Sequence, residues 1–86
     1  MDKVIYLLDK SYYSETMVSN LTEKDLEEWV AEEDYNDNYT IVKIDANGYD
    51  SIDAAIRAEM GDFWMDYTKA KDMCYIISFG FNESGA

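Results

Sequence analysis

Fifteen residues from Glu23 to Asp37 hold eight acids (Glu23, Asp25, Glu27, Glu28, Glu32, Glu33, Asp34, Asp37) against one base, Lys24, a local charge of -7 in a chain of -12. Such a stretch folds only by gathering its few apolar side chains together. At about 100° per residue, Leu26, Trp29 and Val30 share one narrow face of a helix. Asp25, Glu28 and Glu32 then form a ridge on one side of that face, and Glu23, Glu27 and Asp34 a ridge on the other. The helix has one stripe for a core and two negative flanks for water, with Trp29 as its expected anchor. Thr22 stands as N-cap with Asp25 at N3, and Leu21 and Leu26 are spaced as a hydrophobic staple. Glu23 and Asp25 suit the positive end of the helix dipole. Glu32, Glu33 and Asp34 sit at its negative end, where acids are mildly unfavourable. The polar run from Asp34 to Asn38 ends the helix.

The rest of the chain divides by its periodicity. Val4–Leu8 is too short for a helix and reads as a buried strand. Tyr13 to Ser19 alternates imperfectly and reads as a possible second strand, turning back through Asp9-Lys10-Ser11. Tyr39 to Ile44 is β-branched through its centre, a strand, and Ala46-Asn47-Gly48 supplies the turn that follows. Ser51 caps a second helix in which Ile52, Ile56, Met60, Phe63 and Tyr67 form a stripe. The pattern predicts one helix over 51–67, weakest at Gly61. A final strand runs from Met73 to Phe79 or Phe81, where Cys74 is expected on an interior strand with an inert thiol. Residues 82–86 read as a frayed tail. The order β-(β)-α-β-α-β predicts one small α+β domain over residues 1–81. Its expected form is a two-layer sandwich, both helices on one face of a three- or four-stranded mixed sheet. A parallel βαβαβ arrangement is the alternative.

Little in the chain points to catalysis. It has no histidine, no G-x-S-x-G, no Walker loop and no G-x-G-x-x-G, and its four glycines are isolated. Asp45-Ala46-Asn47-Gly48-Tyr49-Asp50 fails as a calcium loop, with glycine fourth and Ile56 where the bidentate glutamate belongs. The expectation is a non-enzymatic protein with no cofactor and no metal. The single cysteine excludes an internal disulfide, and no run approaches the roughly 20 apolar residues of a membrane span. The cytoplasm is the expected location.

What remains is recognition. A surface this acidic repels nucleic acid and anionic membrane and attracts basic proteins. Asp25, Glu27, Glu28, Glu32, Asp34, Tyr35 and Asp37 are the candidate contacts. Tyr12, Tyr13, Tyr35, Tyr39 and Tyr49 lie in or beside polar segments, where a part-exposed tyrosine is a favoured interface residue. A second candidate face is the stripe Ala54, Ala58, Gly61 and Met65, suited to a partner helix or a homodimer. The leading expectation is a small acidic protein-binding or accessory domain. The alternative is a decoy for a nucleic-acid-binding protein. Seven acids from Glu23 to Asp34 give about one charge per 2.6 Å of helix, against one per about 1.7 Å of duplex DNA. In size, acidity and tyrosine content the chain resembles the small DNA-mimic inhibitors carried by phages and mobile elements. That resemblance implies an inhibitor and assigns no residue a role.

Overall fold

The strand β1 (Val4–Asp9) has no polar face, and the fold is arranged around that fact. In the computed structural model, which describes residues 2–35, 40–63 and 65–81 (for 34, 35 and 63 the backbone alone), β1 is the middle of a three-stranded sheet of order β2-β1-β3. β2 (Ile41–Asp45) and β3 (Cys74–Phe79) flank it, both antiparallel. Tyr6 lies opposite Lys43 on one side and Ile77 on the other; Val4 lies opposite Asp45 and Phe79. The sheet is therefore neither mixed nor parallel.

Side chains of β1 alternate between two cores. Ile5 and Leu7 pack with Ile44, Ala46, Ala55, Ile56 and Ala70 on one face. Val4, Tyr6 and Leu8 pack with Tyr13, Leu26 and Ile41 on the other. Helix α2 (Glu23–Tyr35) covers the second face, while α3 (Ile52–Met60) and α4 (Tyr67–Met73) cover the first. The expected sandwich with both helices on one face is thus corrected to an α+β fold with helices on both faces. The cause is β1 itself. A two-layer arrangement would leave Val4, Tyr6 and Leu8 in water, and all three are 5% exposed or less.

Local chemistry sets the elements. Thr22 and Asp25 bond reciprocally: the Asp25 amide donates to Thr22 Oγ1 and the Thr22 amide to Asp25 Oδ2, each at 3.1 Å. This is a capping box with aspartate in place of glutamate. The stretch 13–19 is not a strand. Ser14 Oγ accepts from the Met17 amide at 3.3 Å and starts a single helical turn, α1 (Glu15–Val18). Ser51 caps α3 through the Ala54 amide at 3.1 Å. The predicted helix over 51–67 stops at Met60; Gly61–Phe63 tighten into a 3₁₀ turn, and Asp66 caps α4 through the Lys69 amide at 2.8 Å. A second cap inside the stripe split one helix into two. Ile52, Met60 and Tyr67 still reach the same core, so the period was informative although the continuity was not. Met73 closes α4 rather than opening the final strand, and β2 starts at Ile41. The tail 82–86 lies outside the described residues.

Candidate protein-binding site

Helix α2 crosses the sheet over β1 and β2, so the acids flanking its buried stripe face outward. Leu26 is fully buried; Val30 and Trp29 are only half-buried. Trp29 is therefore not the enclosed anchor expected of it. Its indole stacks on the ring of Tyr13, centroids 5.5 Å apart and planes 12° from parallel. Tyr12 meets Tyr13 edge-on at 5.0 Å. Tyr13 is buried and holds Thr40 Oγ1 through its hydroxyl at 3.1 Å, whereas Tyr12 is 58% exposed and Met17 48% exposed. Burial pushes the Tyr13 phenol up, partly countered by the Thr40 bond.

These groups line an open cleft of about 200 Å³ between α1 and α2, formed by Tyr12, Tyr13, Met17, Trp29, Glu32 and Glu33. One oxygen of Glu33, Oε2, is enclosed and accepts no hydrogen bond among the described residues. An aromatic-walled cleft with carboxylates at its rim has the chemistry for a cation. The ring faces attract the charge, the carboxylates accept its N–H donors, and methionine adapts to its stem.

The acids expected to bind divide by what they touch. Asp25 is spent on the capping box, and the Thr22 hydrogen bonds hold its carboxyl below the usual range. Glu27 lies 3.7 Å from Lys43 of β2. Glu28 and Glu32 are exposed, and of the expected residues whose side chains are described Glu32 alone lines the cleft. The side chains of Asp34 and Tyr35, and all of Asp37 and Tyr39, lie outside the described residues. Glu33, Trp29 and Met17 are absent from the expected set: from sequence, Glu33 is only an acid at the negative end of the dipole, Trp29 is core and Met17 is part of a strand. The signal for them was the adjacency Tyr12-Tyr13 ahead of a tryptophan-bearing helix.

On the opposite face of the sheet, Ala54, Ala58 and Gly61 are exposed. Because α3 ends at Met60, Gly61 and Met65 do not continue its stripe, and Met65 packs against the core instead. The four residues do not form one helical face. Cys74 is on an edge strand and half-buried, not interior; burial, then the Asp9 carboxylate, push its thiol up. Tyr49 is half-buried and donates to Glu59 at 2.8 Å. Among the described residues no three Cys, Asp or Glu side chains cluster to hold a metal, and no helix is long and apolar enough to cross a membrane.

The class defined is a small α+β fold with a three-stranded antiparallel sheet. No protein-family model matches the chain, and no curated protein or solved structure matches it significantly.

Proposed function

We propose that this is a non-enzymatic protein-binding domain that receives an arginine or lysine side chain of a basic partner in the cleft between α1 and α2. The observation that carries this reading is the enclosed Glu33 Oε2, without a hydrogen bond among the described residues, beside stacked Trp29 and Tyr13. A buried acceptor left unsatisfied costs roughly 1–3 kcal/mol, and a guest N–H removes that cost on entry. The acids of α2 outside the cleft, Glu23 and Glu28 among them, steer a basic surface toward it and raise the on-rate.

The exposed α2 acids also favour a second reading within the same surface, a decoy for the nucleic-acid site of its partner. One experiment addresses both. The domain is passed over an immobilised basic nucleic-acid-binding protein at low and at physiological salt, with and without duplex DNA. Salt-sensitive retention that Glu33→Gln and Trp29→Phe weaken supports the cleft. Displacement by duplex DNA supports the decoy. Capture unchanged in rate and affinity by Glu28→Gln, Glu32→Gln and Glu33→Gln together would show that the acidic surface is only solvated.

A further inference from the structure

The two edges of the sheet are guarded differently. β2 carries Lys43 and Asp45, and charges of this kind discourage a further strand from pairing. β3 and its flanks, Met73 to Phe81, carry no charge and no proline. The Lys10 amide donates to the Met73 carbonyl at 2.9 Å, so Lys10 and Met73 form a bonded pair. By the antiparallel alternation, Leu8 with Tyr75, Tyr6 with Ile77 and Val4 with Phe79 do the same. The N–H and C=O groups of Ile76 and Ser78 therefore point away from β1, at an edge that no described strand pairs, while the Cys74 N–H is taken by the Ala70 carbonyl of α4.

That edge is the floor of a groove of about 470 Å³. Ile52 of α3 and Tyr67 of α4 wall it, and Lys10 and Lys71 stand at its Cys74 end. Lys10 Nζ lies 5.4 Å from the Tyr75 ring centre and donates to the Lys71 carbonyl at 2.8 Å; Lys71 Nζ lies 4.6 Å from the Tyr67 ring centre. Each ammonium keeps donors to spare. In a chain with 19 acids and 7 bases, this groove is lined by two bases and no acid. Its polarity is the reverse of the α2 surface.

We infer that the β3 edge binds an extended segment of a partner protein by strand addition, antiparallel to β3, with the segment's C-terminal carboxylate at Lys10 and Lys71. The direction follows from the charges: a strand antiparallel to β3 ends beside Cys74, where the lysines are. Backbone pairing at Ile76 and Ser78 supplies register, and Ile52 and Tyr67 contact alternate side chains of the guest. A second copy of this chain fits less well. Two β3 strands paired about their centre would bring Lys10 and Lys71 of each copy toward the Phe81 end of the other, where Lys3 lies 5.5 Å from the Phe81 ring centre. This inference is independent of the α1–α2 cleft.

The test uses ¹⁵N-labelled protein and the peptide acetyl-Val-Thr-Val-Thr-Val with a free carboxylate, alongside the same peptide amidated. Binding should shift the amide signals of Ile76 and Ser78 more than those of Tyr75 and Ile77. Amidation, or Lys71→Gln, should each weaken it about fivefold. Ser78→Pro removes only an outward N–H, which an edge strand tolerates, and should abolish binding while the far-ultraviolet spectrum is kept. Absence of shifts at millimolar peptide overturns the inference, as does equal binding of the amidated peptide or full binding by a folded Ser78→Pro. Shifts at these amides that grow with protein concentration alone would assign the edge to a second copy and also overturn it.

Discussion

At the scale of single residues, Tyr6 is the least comfortable group in the core. It is fully buried, and its hydroxyl has no hydrogen-bond partner among the described residues. Burial, with Glu27 and Glu23 adding to it, pushes its phenol up to about 12 from 10.0. Removing the hydroxyl while keeping the ring relieves an unpaired polar atom, so Tyr6→Phe should leave stability unchanged or raise it by about 1 kcal/mol in urea unfolding. The pH dependence has a definite sign. Above pH 10 the unfolded chain releases this proton while the folded one retains it, so stability falls as pH rises from about 10 toward 12. Tyr6→Phe should flatten that fall. Stability curves of equal slope for both proteins over this range would show that the phenol ionises as readily in the fold as outside it. Leu26 and Trp29 make the complementary pair. Leu26→Ala should cost about 2–5 kcal/mol from a fully buried site. Trp29→Ala should cost less than the roughly 3–5 kcal/mol of an enclosed aromatic, since its indole is half-exposed at the cleft. A larger loss at Trp29 than at Leu26 in the same denaturant series would assign the indole to the core.

At the scale of elements, caps and turns were legible because their rules are local. Thr22 with Asp25, Ser51, and the Asn47-Gly48 turn all stand where their side chains predict. Gly48 has φ +94°, and Asp45 Oδ1 accepts from the Asn47 amide at 3.0 Å. Thr22→Ala should therefore cost about 1 kcal/mol by thermal or urea unfolding, the value of a lost N-cap. A loss near zero would mean that α2 is held by packing alone. The segment 13–19 was misread because Tyr13, Met17 and Val18 fit a loose alternation, while the stronger signal was Ser14 capping the turn at Met17. Asp66 was overlooked for the opposite reason: a long apolar stripe ran through it, and periodicity outweighed a cap. Gly80 carries an instruction that composition does not reveal. Its φ is +89°, and a Cβ there would meet the Asp2 carbonyl. Gly80→Ala should destabilise by more than about 1 kcal/mol, measured by urea midpoint, because both backbone angle and space oppose it. A neutral result would require the segment around Asp2 to yield.

At the scale of the whole molecule, the class of fold was legible and its layering was not. The order of strands and helices implied α+β, but which face a helix covers is decided by the strands beneath it. Val4–Leu8 held that answer: five apolar residues without alternation describe a strand wrapped on both sides. The candidate site was half legible. Acidity located it on α2, but the cleft needs α1 beside α2, and a four-residue turn leaves too weak a periodicity to place. The fold also has a temporal side. The central strand is made first, and one of its two neighbours is made last: Val4 waits for Phe79 and Leu8 for Tyr75. While a ribosome adds the intervening residues, β1 can pair with β2 but has an open flank of unpaired N–H and C=O groups. Shortening the protein before Tyr75 would leave that flank of β1 without its strand for good.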